Sequence, residues 1–383
     1  MRTSSRRVPG PGAGDDFLAL AWVPGRARLL RLAGTGDWAE LWKGRLHGAY
    51  GSVDPHTLRL WVDASGEGVS IVTPGGTRAP FLRSGDGGVS FERVPEIPGE
   101  GALAPEQCRA HGDGTLTVVE GSPLRLGKGG QEPQKLWALG PGSRHWADTE
   151  LPEAFRCWDV SVGDDGTIWA CGDRATTERT TGPYPDVPTE PALAVLQERA
   201  LEYVGPLSDR RSRRILARYG HAVTYDWVDA EAEPVLTAFT LERILGGEDA
   251  YVLVADRSGR RLVRFETAGK PLAVHRSGPV VRLLLAGDVL CTTEDGGRTW
   301  TTAPLAEVLR RGGEAIPPDA ERSGWACAVG SSSVALAMQA GPAGARVPAL
   351  LVRSDRPARF RLVEPPLGPA ERIVNLAYVP AAR

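Results

Sequence analysis

The chain has 383 residues, 42% of them hydrophobic and 24% charged, with a formal net charge of -2; this excludes a disordered polyion and gives no global attraction to nucleic acid or an anionic membrane. A single ordinary core stops growing well below this length, so the chain is either several domains or a repeat fold that adds one unit after another. Its 47 glycines and 31 prolines demand very many turns and leave little room for helices.

In chain order, Met1-Arg2-Thr3-Ser4-Ser5-Arg6-Arg7 opens on positive charge but runs into Pro, Gly and Asp instead of the apolar stretch that a secretory leader or twin-arginine signal needs. Residues 1–16 are therefore expected to be a flexible tail and 17–383 a single domain. No run approaches 18 apolar residues, and the expected location is the cytoplasm. From Trp38 onward, aromatics that suit the start of a strand recur at Phe91, Trp146 and Tyr203, spaced 53, 55 and 57 residues apart, and return at Trp300 and Phe360. That period fits one four-stranded antiparallel unit. Two units are expected between Pro206 and Pro304, with Leu262-Val263-Arg264-Phe265 in the hidden outer strand.

Between these marks lie hairpin signals. Gly112-Asp113-Gly114-Thr115-Leu116 and Gly163-Asp164-Asp165-Gly166-Thr167-Ile168-Trp169 are turn sequences flanked by strand-like residues. Ser84-Gly85-Asp86-Gly87-Gly88-Val89-Ser90-Phe91 and Thr293-Glu294-Asp295-Gly296-Gly297-Arg298-Thr299-Trp300 share one pattern. In each, Asp accepts backbone N–H bonds in the Asx manner, glycines take the positive φ of a tight turn, and the aromatic starts the next strand. Residues 141–146 and 355–360 keep the length of this turn and lose most of its chemistry. At the chain ends, Leu20-Ala21-Trp22-Val23-Pro24 matches Leu376-Ala377-Tyr378-Val379-Pro380 at a separation near seven periods.

The two octapeptides resemble the Asp box, S/T-x-D-x-G-x-T-W/F, of the bacterial neuraminidase repeat (BNR) family, with Ser90 at the Thr position of the first. The resemblance implies an all-β fold, a single β-propeller. Seven four-stranded blades are preferred, six and eight being the alternatives, with strands from the two chain ends sharing the closing blade so that no edge stays open. It makes Ser84, Asp86, Gly88, Phe91, Thr293, Asp295, Gly297, Thr299 and Trp300 structural turn residues.

The family also implies sialidase activity, whose site uses three arginines, a Tyr-Glu pair and an acid on separate blades. That constellation is not located here. Arg7-Val8-Pro9 lacks the aromatic of the family's aromatic-Arg-Ile-Pro motif, and Arg93-Val94-Pro95 follows its box instead of preceding it. No spacing marks Tyr219, Tyr225 or Tyr251 as a nucleophile. The six histidines never pair at metal-ligand spacing, and the five cysteines, Cys108, Cys157, Cys171, Cys291 and Cys327, are odd in number and free of C-x-x-C, as buried small hydrophobes would be. No cofactor or metal is expected.

In a four-stranded blade the first-to-second and third-to-fourth turns share one end, which the Asp boxes mark. The longer insertions, 121–135, 173–191, 206–214, 303–324 and 339–348, then leave from the other end. They carry the candidate partner-binding residues. Arg210, Arg211, Arg213 and Arg214 suit either a solvated loop or pairing with carboxylate or phosphate. Tyr184 between two prolines suits an aromatic anchor or a stiffened loop. Arg310 and Arg311 end a short predicted helix, 305–311, stopped by Gly312-Gly313. The leading expectation is a non-catalytic scaffold that binds a protein partner, acidic or part of a multiprotein assembly, through the loop-rich end. The alternative is a glycan-binding or sialidase-like glycoside hydrolase propeller; no membrane and no nucleic-acid partner is expected.

Overall fold

The computed structural model describes residues 15–23, 26–46, 58–72, 78–99, 103, 108–121, 134–151, 155–163, 165–175, 189–197, 200–206, 223–230, 233–242, 248–256, 259–265, 269–287, 289–304, 321–340, 347–355, 358–368 and 370–380. Among these there is no helix; twenty-eight strands form seven four-stranded antiparallel sheets, the blades of a seven-bladed β-propeller. Blade I holds β1 (Asp16–Val23), β2 (Arg26–Leu32) and β3 (Trp38–Gly44). Blade II holds β4 (Arg59–Val62), β5 (Val69–Val72), β6 (Phe81–Ser84) and β7 (Glu92–Arg93), and blade III holds β8 (Cys108–Ala110), β9 (Leu116–Glu120), β10 (Lys135–Leu139) and β11 (Ala147–Glu150). Blade IV holds β12 (Phe155–Val162), β13 (Ile168–Ala175), β14 (Thr189–Gln197) and β15 (Ala200–Pro206); blade V holds β16 (Val223–Asp229), β17 (Val235–Glu242), β18 (Glu248–Asp256) and β19 (Gly259–Phe265). Blade VI holds β20 (Pro271–Ser277), β21 (Val280–Leu285), β22 (Val289–Thr293) and β23 (Thr301–Pro304), and blade VII holds β24 (Glu321–Val329), β25 (Ser333–Ala340), β26 (Val347–Asp355) and β27 (Ala358–Val363). The last strand, β28 (Arg372–Val379), returns to blade I and becomes its first strand, in the order β28-β1-β2-β3.

Every expected outer-strand aromatic sits at or just before a fourth strand. Trp38 opens β3, Phe91 precedes β7, Trp146 precedes β11, Tyr203 lies in β15, Phe265 ends β19, Trp300 precedes β23 and Phe360 lies in β27. The division of 206–304 into two blades holds, with 262–265 in the fourth strand of blade V. The matching chain ends do share a blade, but as neighbours. Phe17 is the Cα partner of Tyr378 and Leu20 of Asn375, so the two segments take the second and first strand positions of one sheet and are not equivalents one full turn of the repeat apart.

The residue contacts divide the chain into two compact units, one gathering blades I, VII and most of II, the other blades III to VI. In the first, Phe17, Ala19, Leu30 and Leu32 of blade I are buried with Ala326, Ala335, Leu350 and Val352 of blade VII. The opposite face of blade I packs Leu18, Leu20, Trp22 and Leu29 against Leu58, Leu60, Val69 and Ile71 of blade II. In the second unit, Val119 and Leu136 of blade III meet Phe155, Val160 and Ala170 of blade IV, while Leu236, Val252 and Val254 of blade V meet Val281, Leu283 and Leu285 of blade VI. A sheet covered on both faces needs apolar residues at successive positions, and the second strands read accordingly: FLALAW in β1, VSIV in β5, VRLLL in β21, almost all buried. Fourth strands β7, β11 and β23 are exposed at nearly every residue. The five cysteines are all free and buried, and burial pushes the Cys291 thiol up to about 12.

Arg28, on β2, reaches across β1. Its guanidinium bonds Glu40 on β3 at 2.6 Å and Glu371, just ahead of β28, at 2.8 Å, and Glu371 also accepts the Gly368 N–H at 2.7 Å. One partly buried cation thus ties the whole width of the blade to the strand from the other end of the chain. Charge-assisted bonds of this kind contribute roughly 1.5–3 kcal/mol each when half-desolvated. Arg28→Ala is expected to lower the unfolding free energy by about 2–3 kcal/mol in urea titrations, and Lys at this position, lacking the fork, should recover only part of it. An unchanged midpoint for Arg28→Ala would show that the pairing carries no weight.

Candidate functional site

The two octapeptides are third-to-fourth turns, between β6 and β7 in blade II and between β22 and β23 in blade VI. In the first, the Ser84 hydroxyl donates to Asp86 Oδ1 at 2.7 Å and accepts the Gly88 N–H at 2.9 Å. Asp86 Oδ1 also accepts the N–H groups of Val89 and Ser90, at 3.0 and 2.9 Å, and Oδ2 takes the Ser90 hydroxyl at 2.6 Å. The second turn repeats this almost atom for atom. Thr293 Oγ1 donates to Asp295 Oδ1 and accepts from Gly297, while Thr299 supplies its N–H at 2.8 Å and its hydroxyl at 2.6 Å. Gly87, Gly88, Gly296 and Gly297 all have φ between 69° and 92°.

Each turn is also fixed from outside. The Gly87 N–H donates to Glu67 O and the Gly296 N–H to Pro279 O, both at 2.8 Å, joining each box to the first-to-second turn of its own blade. The aromatic packs on the preceding blade: Phe91 lies 5.0 Å from Trp42 of β3, and Trp300 meets Phe265 of β19 edge-on at 5.4 Å while its Nε1 donates to Gly297 O. A Cβ at Gly88 would come within 2.5 Å of Leu29 Cδ2, and one at Gly297 within 3.1 Å of Val254 Cγ2. The Ser90 hydroxyl, ahead of Ser84 and the backbone donors, holds the Asp86 carboxyl down at about 2, and the Thr299 hydroxyl and N–H hold the Asp295 carboxyl well below the usual carboxylate range. Carboxylates so ionised, with their lone pairs committed to the turn, are clamps and make poor proton acceptors for chemistry.

A second polar system runs along the first strands of blades III to VI. Arg109 of β8 pairs with Asp159 of β12, whose carboxylate also accepts the Val228 N–H of β16 at 2.9 Å. The Ser161 hydroxyl accepts the Ala230 N–H at 3.0 Å, and Asp229 of β16 pairs with Arg276 of β20, which donates to Pro234 O at 2.8 Å. Burial raises the Asp159 carboxyl against the opposing pull of Arg109. Four of the first strands carry a bulge. The ladders skip Trp158 in β12, Asp226 in β16, Leu272 in β20 and Val374 in β28. In two of them the residue after the bulge crosses to the next blade, Asp159 in β12 and Asn375 in β28, the latter donating to Leu58 O at 3.2 Å.

Sequence reasoning missed this system. Asp159 and Asn375 stand among strand residues with no glycine or turn signal beside them, and the Ser277-Gly278-Pro279 turn after Arg276 marks only the end of its strand, so nothing in the sequence betrays the extra residue. The histidine at 111 is also part of the frame: it is buried with Nε2 2.7 Å from the Thr117 hydroxyl, and burial pushes its pKa well down.

The candidate partner-binding residues, Tyr184, Arg210, Arg211, Arg213, Arg214, Arg310 and Arg311, lie outside the described residues, as does the predicted helix 305–311. Their attachment points are described. Residues 176–188 join β13 to β14, 207–222 join β15 to β16, and 305–320 join β23 to β24. These are second-to-third or blade-to-blade connections, which strand alternation sets at the blade end opposite its first-to-second and third-to-fourth turns. At the box end of blade VI, Glu233, Pro234, Pro279, Asp295, Gly296 and Arg298 line a cleft of about 340 Å³. Among the described residues, no three His, Cys, Asp or Glu side chains converge as metal ligands.

No family model matches this chain, and no curated protein does; the Asp-box likeness thus remains one of motif and geometry. Among solved structures, the chain is similar to the polysaccharide lyase Uly1, with 10% identity, a TM-score of 0.52 and coverage of 95% of this chain and 94% of that one. It is similar also to a Mycobacterium tuberculosis puromycin-hydrolyzing peptidase, at 14% identity and a TM-score of 0.51, covering 93% of this chain but 53% of the peptidase, so it spans about half that enzyme's length. YCF48 bound to a D1 peptide aligns at 12% identity and a TM-score of 0.35, over 81% of this chain and 68% of that one. At such identities the likeness is one of propeller fold alone.

The paired glycines of a box separate two costs. Gly87 has open space where a Cβ would go and Gly88 does not. Gly87→Ala is expected to cost about 1 kcal/mol, from positive φ alone, and Gly88→Ala about 2–4 kcal/mol, from φ plus the clash with Leu29. Equal urea midpoints for the two variants would contradict the packing described. The acid limb gives a second check. A carboxyl held near 2 when folded and at 3.8 when free contributes stability that is fully present above pH 3.8 and is lost as pH falls toward 2. Melting curves of wild type and Asp86→Asn should therefore differ most at neutral pH and converge by about pH 2; a gap that persists there would refute the ionic origin.

Proposed function

We propose that this propeller is a non-catalytic scaffold that binds a protein partner through the ends of its blades opposite the Asp-box turns. The observation that carries this reading is the division of labour between the two blade ends. At the box end, connections such as 33–37, 63–68, 85–91, 111–115 and 294–300 are short and spend their polar groups on one another. At the other end, the connections 122–133, 176–188, 207–222 and 305–320 carry the arginine-rich and aromatic sequence. Loops on a rigid frame are where recognition accumulates. The glycan reading asks for arginines available to a substrate carboxylate, and Arg109 and Arg276 on the first strands are committed to Asp159, Asp229 and Pro234 O, which weighs against it.

The acidic character of the partner follows from Arg210, Arg211, Arg213 and Arg214 within five residues, since guanidinium groups pair bidentately with carboxylates. Replacing all four with Glu, with Tyr184→Ala and Arg310→Glu/Arg311→Glu as companion variants, is expected to reduce capture of the bound protein by at least tenfold while circular dichroism stays unchanged. Capture would be read by quantitative mass spectrometry of proteins retained on the immobilised chain, with Asp86→Asn as the control that keeps binding. If nothing is retained above an empty matrix, or the reversed chain retains the same protein equally, the proposal fails.

A further inference from the structure

Blade I is the one sheet whose strands come from both ends of the chain, and its first strand β28 has no hairpin or short loop joining it to its ladder partner β1. Three of its eight residues, Ile373, Leu376 and Val379, are buried, whereas six of eight are buried in its neighbour β1. It lies at the edge of its sheet, with β1 as its ladder partner. The chain reaches it from β27 through Glu364-Pro365-Pro366-Leu367-Gly368-Pro369-Ala370-Glu371. That connector is held by the Arg28–Glu371 pair, by Leu367 against the apolar cluster of blades I and VII, by the buried Pro365, and internally by Leu367 N–H to Pro365 O, Gly368 N–H to the Glu371 carboxylate and Glu371 N–H to Gly368 O.

We propose that β28 is an exchangeable strand and that β1 of a second copy of this chain is its alternative acceptor, giving a reciprocal dimer. The complementary segment is already defined by register: Phe17 against Tyr378, Leu18 against Ala377, Ala19 against Leu376. Every native contact of the strand is reproduced in the exchanged form. These include the edge-on stacking of Phe17 on Tyr378 at 6.2 Å, the bond from Asn375 to Leu58 O, and the Arg28–Glu371 pair, because Glu371 travels with the strand. What differs is the path of the connector. Three prolines in eight residues keep such a segment from collapsing, and at about 3.1 Å per residue it spans up to roughly 25 Å. Reciprocal exchange closes on itself with two-fold symmetry, so it ends at the dimer and not in a fibre. Opening β28 bares the β1 edge, an apolar template that another strand covers.

The test uses the full chain carrying Leu18→Cys and Ala377→Cys, Cα partners in the native register, at spacing suited to a disulfide. Reduced protein is incubated from micromolar to millimolar concentration under mild urea, separated by size, and oxidised. The expected result is a dimer fraction that grows with concentration and runs at twice the chain mass on non-reducing gels. A protein that stays monomeric throughout, or a dimer fraction in which the new cysteines join only within one chain, overturns the proposal. Because Leu18 is buried, the unsubstituted protein is examined in parallel by hydrogen exchange. Amides of 372–379 should exchange at least about tenfold faster than those of 155–162, the first strand of blade IV, and equal protection would also overturn it.

Discussion

The fold of blade I rests on one long-range pairing, the antiparallel ladder between β1 and β28. Every other sheet is assembled from strands that follow one another in sequence, so each of its ladders closes a hairpin or a short loop at modest entropic cost. The β1·β28 ladder joins the two ends of the chain. Until it forms, β1 has an open edge, and the buried residues Phe17, Ala19 and Leu376, which pack together with blade VII, have no complete partner surface. A topology of this kind places its least local contacts last and its folding rate under their control. Arg28 and Asn375, each bonded to the returning strand or from it, are well placed to hold the ladder once made.

Within the blades, hydrophobic burial and polar bonding act at different radii of the sheet. The second strands β1, β5 and β21 are buried at nearly every residue. Side-chain bonds to the backbone gather in the turns and, in blades III to VI, at the first strands, where backbone groups leave the regular ladders and need other partners. The Asp-box turn solves that locally with one carboxylate and one hydroxyl. Along the first strands the same problem is met between blades, by a side chain from one sheet satisfying an N–H or C=O of the next, as Asp159 and Ser161 do for Val228 and Ala230. Such bonds fix register between blades in a way that apolar contact, which is indifferent to direction, does not.

Much of this architecture is written in the sequence, because the elements that specify it leave chemical marks. Bulky aromatics announce the fourth strands from Trp38 to Phe360, and positive-φ glycines beside an acid announce the boxes; both depend on side-chain size or backbone freedom that few residues supply. Blade number follows from the spacing of those marks. The bulges at Trp158, Asp226, Leu272 and Val374 leave no such trace, since an extra residue in a strand needs no special side chain, and so the crossings of Asp159 and Asn375 that follow two of them were invisible. The terminal repeat marked the closure: strands from the two chain ends share blade I as expected. Two strands of like composition pair as readily with each other as they occupy like positions, and here they pair. Of the candidate site, the box end is legible down to individual hydrogen bonds, whereas Arg210 to Arg214 announce charge without geometry, because mixed polar loops carry no periodic constraint.

The hydrogen bonding of the box glycines also bears on how the protein ages. Asp-Gly is among the dipeptides prone to rearrange in a flexible chain, where the unhindered glycine nitrogen attacks the preceding side-chain carboxyl and the ring that forms reopens as an isoaspartyl linkage. That attack needs a free nitrogen and a carboxyl able to lose oxygen. Asp86-Gly87 and Asp295-Gly296 offer neither: each glycine N–H is turned toward a carbonyl of the adjacent turn, and each carboxylate is kept ionised and ringed by donors. The sequence that a chemist would mark as perishable is thereby among the most durable parts of the folded chain.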